Sequence, residues 1–238
     1  MTPLISVIIG VYNARPYLGE AIESVLTQDY RPIELIVVDD GSDDGSGEVA
    51  QRFDEVRYIR QENAGNGAAR NTGIAAASGA FLAFLDADDR FTPGKLTLQM
   101  NALAQDPDLD LVFGHVREFI SPELDEETRS TIRPPASEPM PWTAPNLMLI
   151  RRASFDRVGP FSTSVRVGVT IDWFARASEA GLRYRILPET VLERRLHTQN
   201  NFLRERDSRG QYLQVIKAAM DRRRAAAGRD EAAGTDVA

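Results

Sequence analysis

The residues best suited to chemistry in this sequence are aspartates that directly follow apolar runs. One run ends in Asp39 and Asp40, and another ends in Asp86, Asp88 and Asp89. Carboxylates placed together repel one another, and a divalent cation among them relieves that repulsion. Magnesium and manganese take one or two carboxylates and complete their shells with water and substrate phosphate oxygens. The pattern therefore indicates a metal-assisted phosphate site, although helix capping or an Asx turn explains any single Asp-x-Asp equally well.

Four short apolar runs alternate with helical patterns over the first hundred residues, and these elements must position the aspartates. The predicted strands are residues 4–9, 33–38, 56–59 and 80–85, and the predicted helices are residues 16–28, 45–53, 67–77 and 93–104. This alternation is typical of a parallel sheet covered by helices on both faces. Ligands bind outside the carboxyl ends of such strands. We therefore expect Tyr12 and Asn13, which follow the first strand, to share a crevice with the aspartates.

The second half of the chain has a less regular pattern. We predict a strand over residues 109–119, a surface loop over the proline-rich residues 121–145, helices near residues 154–158 and 172–180, and strands near residues 184–187 and 191–197. Residues 221–238 contain little apolar material beyond alanine, which predicts a disordered tail. The simplest organisation is one domain over residues 1–220 followed by that tail.

Charge and composition exclude several classes of function. The chain has 238 residues, of which 28 are basic and 35 acidic, and this balance argues against a general affinity for nucleic acid or anionic lipid. Residues 1–150 are strongly acidic and residues 151–238 are basic, so an acidic half that handles an anion would need a cation. The absence of cysteine excludes a disulfide framework, a zinc-thiolate site and a cysteine nucleophile. With no apolar run of about 18 residues and no signal peptide, we expect a cytoplasmic protein without an integral membrane segment.

Three ordered motifs closely resemble the nucleotide-sugar-binding half of the family-2 glycosyltransferases. They are SVIIGVYN at residues 6–13, ELIVVDDGSDD at residues 34–44 and QENAGNGAARNTGIAAASGAFLAFLDADD at residues 61–89. The resemblance implies the GT-A fold, an α/β, Rossmann-like, mostly parallel sheet with helices on both faces and a C-terminal acceptor-side helical extension. Residues 1–105 would form the nucleotide-sugar-binding half and residues 106–220 the acceptor-side half.

The resemblance also implies the residues that bind the donor. Tyr12 and Asn13 correspond to a loop that lines the nucleotide pocket. Asp40 corresponds to an acid that accepts a hydrogen bond from the base, and Arg70 to a basic residue that lies against the nucleotide. Asp86 completes this donor set as the first residue of the family's DxD motif, near the ribose and the metal.

The implied cofactor is a divalent metal, Mn²⁺ or Mg²⁺. Asp88, the second acid of the DxD motif, corresponds to the residue that binds the metal bridging the donor diphosphate, so it also belongs to the donor set. His197 lies in Arg195-Leu196-His197 followed by Asn200, which resembles the family's late Arg-x-His-x-x-Asn segment. In that segment the histidine can complete the metal shell or contact the diphosphate. The implied metal set is Asp86, Asp88 and His197.

The acceptor side departs from the family pattern. Residues 172–176 resemble the family's helix that presents an acceptor-side carboxylate, but Val169 and Thr170 stand where many members have an acidic pair. Asp172 is the only acid in this segment, so the resemblance leaves it as the general base of an inverting single displacement. The alternative is that Asp172 is a helix-start aspartate without a catalytic role.

The implied function is a metal-dependent, inverting glycosyltransferase of the hexosyltransferase type. It would move a sugar from a nucleotide diphosphate donor, preferably UDP-linked, to an acceptor that is a saccharide, a lipid-linked group, a peptide or a small molecule. Thr170, in place of an acid, leaves open a catalytically degenerate nucleotide-sugar-binding or regulatory protein of the same fold. A nucleotidyltransferase is a further alternative, against which the missing Arg/Lys-rich phosphate loop near the first strand counts.

Overall fold

The structure is a computed structural model that describes residues 2–164 and 168–198, together with Lys217, Asp221 and Arg222. Asn200 and the tail predicted over residues 221–238, except for its first two residues, lie outside the described residues. Within the part of the chain that is described, no helix has the length and apolar character needed to cross a membrane.

Four parallel strands form the first half of the sheet. They are β1 (Ile5–Val11), β2 (Ile33–Asp39), β3 (Val56–Arg60) and β4 (Phe81–Asp86), in the spatial order β3-β2-β1-β4. Helices α1 (Arg15–Leu26), α2 (Ser46–Ala50) and α3 (Asn66–Ala76) connect them. β1 and β4 are buried along nearly their whole length, as expected for central strands covered on both faces. The predicted alternation of strands and helices is confirmed.

The carboxyl ends of these strands lie side by side. Val11 at the end of β1 pairs with Asp39 of β2, and Gly10 pairs with Asp86 of β4. The amide of Asp40 donates to the carbonyl of Val11 at 2.8 Å, which joins the first two loops as they leave the sheet. The polar residues that follow β1, β2 and β4 therefore meet at one edge.

The part of the chain that follows β4 extends this sheet with strands of both directions. Its strands are β5 (Arg90–Phe91), β6 (Leu111–Ile120), β7 (Met140–Pro141), β8 (Leu149–Arg151) and β9 (Tyr184–Leu196). Its helices are α4 (Lys95–Gln105), α5 (Glu126–Thr131), α6 (Arg152–Val158) and α7 (Val169–Glu179), with a 3₁₀ turn at Pro145–Leu147. β8 lies antiparallel between β4 and β6, and β9 lies parallel to β6 on its other side. The order continues β4-β8-β6-β9-β5, with β7 paired to β6.

β9 is one strand where the sequence predicts two. Pro188 lacks an amide hydrogen for the ladder, so a bulge must accommodate it. Residues 187–189 of β9 lie between its pairs with Phe113 and His115 and face only Gly114 across the ladder. A Cβ on Gly114 would lie 2.6 Å from a β9 side chain, so this close approach requires glycine.

Two further boundaries differ from the predictions. The segment 121–145, predicted as a surface loop, contains α5 and β7, and the Asp125 carboxylate caps α5 by accepting from the Thr128 amide at 2.7 Å. Helix α7 begins at Val169, three residues before the predicted start. Gly168 precedes it with a φ of 80°, a left-handed conformation that glycine adopts without strain.

An aromatic cluster holds α7 against the first half of the sheet. Trp173 of α7 stacks on Phe155 of α6 with ring centroids 5.3 Å apart. Phe161 packs edge-on against Phe84 of β4 at 5.7 Å and also contacts Trp173. These rings are almost fully buried, so they supply much apolar contact area. The cluster therefore fixes α7 relative to β4, whose end carries Asp86.

Candidate functional site

The loops after β1 and β2 are tied to each other. Tyr12 is half exposed at the end of β1. Asn13 has a φ of 51°, and its Oδ1 accepts a hydrogen bond from the Asp43 amide at 3.0 Å. The Asn13 amide donates to Ser42 Oγ at 3.0 Å. The predicted donor residues Tyr12 and Asn13 therefore lie on a loop that the second loop holds in place.

Asp40 is buried and fastens the segment that leads into α3. Its Oδ1 accepts from Gln61 Nε2 at 2.7 Å and from the Ala64 amide at 2.9 Å. Its Oδ2 accepts from the Gly65 amide at 2.8 Å. A hydrogen bond from a nucleotide base, as the sequence predicts, would use a remaining lone pair. Asp40 thus also anchors the backbone ahead of Arg70.

Arg70 and Asp86 form an ion pair at the end of β4. Arg70 Nη2 lies 2.8 Å from Asp86 Oδ1, and the Arg70 guanidinium lies over the ring of Phe161 at 5.6 Å. Arg70 is buried, whereas the Asp86 side chain is about one-third exposed. The other Asp86 oxygen, Oδ2, accepts from Asn146 Nδ2 at 3.0 Å. Asp86 is thus oriented from both sides.

Asp88 and His197, predicted as metal ligands from positions far apart in the sequence, are brought into contact. His197 Nε2 and Asp88 Oδ2 lie 2.9 Å apart. The His197 ring is buried and packs against the ring of Tyr17, with centroids 4.6 Å apart. The Asp88 side chain retains about a quarter of its exposure, so solvent reaches this pair on the Asp88 side.

The Asp88–His197 pair fits a divalent ion as two neighbouring ligands. Their 2.9 Å separation is that of a hydrogen bond, and adjacent ligands of an octahedral ion with bonds of about 2.1 Å lie about 3.0 Å apart, so both atoms could bind one ion with little movement. No group of three or more His, Asp or Glu side chains in residues 2–164 and 168–198 could hold a metal ion. Two protein ligands are nonetheless sufficient for magnesium or manganese when substrate phosphates complete the shell. Both oxygens of Asp86, the third predicted ligand, accept hydrogen bonds, from Arg70 and from Asn146.

Asp89 lies behind these residues and was not assigned a role from the sequence. It is buried, and its carboxylate accepts from the Arg195 amide at 3.0 Å and from Asn146 Nδ2 at 2.9 Å. Burial raises the pKa of Asp89 well above its usual range, and the neighbouring charges of Asp88 and Asp86 act in the same direction. Asp89 therefore ties β9 and the turn of Asn146 to the end of β4.

Arg195 fixes the strand end that carries His197. Its buried guanidinium donates to the Asp88 carbonyl at 3.0 Å, to Ser121 Oγ at 3.0 Å and to Glu20 Oε2 at 2.7 Å. The sequence motif contains Arg195, but only the folded chain shows that it reaches the DxD segment. Sequence reasoning missed this role of Arg195, and it missed the roles of Asp89 and Asn146 as well.

Asp172, the predicted base, lies in the first turn of α7 within a network of ion pairs. Its Oδ2 is 3.0 Å from Arg176 Nε, and its Oδ1 is 3.2 Å from Arg222 Nη1. Arg176 also donates to the carbonyls of Val158 and Pro160, at 2.8 Å each. The start of α7 lies close to α3, since a Cβ on Gly67 would be 3.1 Å from Val169. The contacts of Asp172 thus include two arginines that stabilise its charge.

Lys95, at the start of α4, supports the turn that carries Asn146. Its Nζ donates to the carbonyls of Leu147 at 3.1 Å and of Asn146 at 3.4 Å, and it lies over the Phe91 ring at 4.5 Å. The side chain is buried, and these contacts are two carbonyls and a ring, not a carboxylate. Burial lowers the pKa of Lys95 well below its usual value. Burying the ammonium therefore has an unfavourable electrostatic cost.

This lowered pKa predicts a specific pH dependence of stability. Between the folded-state pKa and the unfolded value of about 10.4, the unfolded chain binds the Lys95 proton more tightly than the folded chain. The contribution of Lys95 to the free energy of unfolding therefore rises with pH in that window. Urea unfolding at pH 7 and pH 9.5 should show wild type gaining stability relative to Lys95→Met. Parallel changes in the two proteins would contradict this.

Comparisons of sequence place the chain among glycosyltransferases. The sequence model of glycosyl transferase family 2 matches residues 6–167, more than half of the chain. EpsJ of Bacillus subtilis, named an uncharacterized glycosyltransferase, is 36% identical over 149 residues, covering 58% of this chain and 43% of EpsJ. Glycosyltransferase GlyA of Streptococcus pneumoniae is 49% identical over 89 residues, covering 36% of this chain and 13% of GlyA. The chain spans less than half the length of these curated relatives.

Solved structures share the fold. The mannosyltransferase PcManGT of Pyrobaculum calidifontis, in complex with GDP-Man and Mn²⁺, superposes with a TM-score of 0.71 at 21% identity, covering 93% of this chain and 65% of that one. TarS 1–349 of S. aureus, in complex with UDP-GlcNAc, gives a TM-score of 0.65 at 18% identity, covering 82% and 58%. These likenesses confirm the predicted GT-A fold.

Proposed function

The chain belongs to glycosyl transferase family 2, and we propose that it transfers a sugar from a nucleotide diphosphate donor to an acceptor in a metal-dependent, inverting reaction. The observation that carries the proposal is the contact of Asp88 with His197, 2.9 Å apart, at the edge where the loops after β1, β2 and β4 meet. A carboxylate and an imidazole in direct contact offer two neighbouring ligand atoms to a divalent ion that also binds phosphate oxygens.

We propose a UDP-sugar as the donor. Tyr12, Asn13 and Asp40 would line the base pocket, and Arg70 would lie against the nucleotide, as the family resemblance implies. Asp86 would face the ribose, since its orientation by Arg70 and Asn146 leaves about a third of its side chain exposed. TarS and PcManGT are described with UDP-GlcNAc and with GDP-Man, so GDP is the comparison ligand in any test.

In the proposed reaction, an acceptor oxygen or other nucleophile forms a bond to the anomeric carbon as the bond from that carbon to the donor phosphate breaks. The electron pair leaves with the nucleoside diphosphate, and the acceptor proton passes to a base. A divalent ion at Asp88 and His197 would, when bound, stabilise the charge on the leaving diphosphate. Asp172 is the proposed base because it is the only acid between residues 157 and 178.

Nucleotide binding tests the donor assignment directly. Isothermal titration calorimetry with UDP and with GDP, each with and without Mn²⁺, is expected to show binding of UDP that depends on Mn²⁺ and exceeds that of GDP. The metal dependence follows because the acidic residues after β2 and β4 otherwise oppose a diphosphate electrostatically. Preference for GDP would change the nucleobase of the proposed donor from uracil to guanine, and the proposed reaction class would stand. No nucleotide binding under any condition would overturn the proposal.

A second candidate is a nucleotide-sugar-binding or regulatory protein of this fold without catalysis. Two arginines hold the Asp172 carboxylate, and Val169 and Thr170 supply no acid at the start of α7. Donor binding without transfer or donor hydrolysis, unchanged in Asp172→Asn, would favour this candidate. Release of pyrophosphate instead of a nucleoside diphosphate would favour a nucleotidyltransferase.

A further inference from the structure

We propose that Asn146 is a positioning residue that holds the carboxylates of the donor and metal site in their working orientation. This inference rests on the proposed function. Asn146 Nδ2 donates to Asp86 Oδ2 at 3.0 Å and to Asp89 Oδ2 at 2.9 Å. One amide nitrogen thus joins a carboxylate that faces the site to the buried carboxylate behind it.

Electrostatic repulsion explains why a hydrogen-bond donor is needed between the carboxyl groups of Asp86 and Asp89. Their Oδ2 atoms lie within about 3 Å of the same nitrogen, so negative charge on either carboxyl group disfavours charge on the other unless a hydrogen-bond donor lies between them. The two amide hydrogens of Asn146 point to opposite carboxylates, and hydrogen bonds to ionised acceptors are the stronger kind. Loss of the Asn146 side-chain amide would remove the hydrogen bond to Asp86 Oδ2. The Asp86 carboxylate could then rotate while it keeps its ion pair with Arg70.

The backbone of Asn146 is fixed independently of its side chain. Lys95 Nζ donates to the carbonyls of Asn146 and Leu147, and Gln99 Nε2 donates to Leu147 at 2.7 Å and to Val112 at 3.0 Å. Helix α4 therefore holds the 3₁₀ turn, and without the Gln99 side chain the carbonyls of Asn146 and Leu147 keep their hydrogen bonds from Lys95. A substitution confined to the Asn146 side chain is expected to leave the turn in place and to alter the carboxylates.

Gln99 of α4, which contacts the same turn, offers a matched control. Asn146 Oδ1 and Gln99 Oε1 are both buried and have no hydrogen-bond partner among the described residues. Each amide thus carries the same unfavourable feature. They differ in what the nitrogen does, since Asn146 donates to two carboxylates and Gln99 donates to two backbone carbonyls.

The experiment titrates Mn²⁺ into the full chain with excess UDP and measures the Mn²⁺ affinity by calorimetry, for wild type, Asn146→Leu and Gln99→Leu. Asn146 reaches the proposed ligand Asp88 through Asp86 and Asp89, which lie on either side of Asp88 in the sequence. Supporting residues behind metal ligands typically change metal affinity by about 10- to 100-fold when replaced. We expect a loss of that size in Asn146→Leu and an affinity near that of wild type in Gln99→Leu, although both substitutions lower the melting temperature. Asn146→Asp, which keeps the shape but removes the donor, should behave like Asn146→Leu.

Two results would overturn the role of Asn146 while leaving the proposed function intact. They are a wild-type Mn²⁺ affinity in Asn146→Leu, and an equal loss in Asn146→Leu and Gln99→Leu, which would indicate a general loosening of the turn. If Asn146→Leu does not fold, as judged by circular dichroism, the same comparison is made with Asn146→Ala. Failure of wild type to bind UDP or GDP with Mn²⁺ would instead overturn the proposed function, and this inference with it.

Discussion

Replacing Asp88 with alanine is expected to lower the kcat/KM of sugar transfer by at least about 10³-fold. The Asp88 carboxylate lies 2.9 Å from His197 Nε2, so alanine removes one of the two side chains directed at the proposed metal position. Negative charge grows on the diphosphate as its bond to the sugar breaks, and this charge would lose its stabilisation. A 10³-fold loss corresponds to about 4 kcal/mol in the barrier, within the range that metal catalysis supplies.

Asp108→Ala is the matched control for this substitution. Asp108 is an exposed aspartate whose carboxylate pairs with Arg183 at 2.7 Å, in the turn that precedes β6. Exposed ion pairs of this kind contribute little to stability, so activity should be unchanged. Donor turnover, measured as release of nucleoside diphosphate, reports the effect in both variants without knowledge of the acceptor. Retention of turnover in a folded Asp88→Ala variant would overturn the metal assignment.

The parts of the site that the sequence predicts are those set by short-range pattern. Asp86 and Asp88 follow a buried apolar run directly, and in a parallel sheet the residues after each strand meet at one edge. The same reasoning places Tyr12, Asn13 and Asp40 together. His197 is placed by the family resemblance alone, and the structure brings it to Asp88 across 109 residues of sequence.

The parts that the sequence does not predict depend on long-range pairing. Asn146 reaches Asp86 because β8 inserts antiparallel between β4 and β6. No periodicity in the sequence indicates that insertion, and a single asparagine ahead of an apolar run has many structural uses. The bulge around Pro188 likewise depends on Gly114 in the neighbouring strand. Local propensity cannot report a partner strand that lies far away in the chain.

The pairing of β9 within the sheet brings the basic part of the chain into contact with the acidic part. Residues 1–150 are acidic and supply the aspartates after β2 and β4, whereas β9 belongs to the basic part of the chain. β9 brings the Arg195 guanidinium to the Asp88 carbonyl and the His197 ring to the Asp88 carboxylate. The second half therefore brings a guanidinium and an imidazole to an acidic edge, which the proposed function requires to bind a diphosphate.

Asp172→Asn is expected to lower kcat by about 10²- to 10⁴-fold, the usual contribution of a general base, while Mn²⁺-dependent UDP binding stays at the wild-type level. Asparagine keeps the shape of aspartate and can still accept from Arg176, so the start of α7 should remain folded. The amide is not basic enough to take a proton from the acceptor. The measurement is kcat with an accepted substrate, together with UDP affinity and melting temperature.

Arg222→Ala separates the two roles open to Asp172. Arg222 lies 3.2 Å from Asp172 Oδ1 and 2.9 Å from Glu179 Oε2, so its loss frees one carboxylate oxygen without removing the carboxylate. If Asp172 is the base, Arg222→Ala should retain activity that Asp172→Asn has lost, because its free oxygen can still accept the proton. If Asp172 only anchors α7, both variants should melt at lower temperature and turn over at the wild-type rate. The second pattern would contradict the base assignment and direct the search to a carboxylate outside α7.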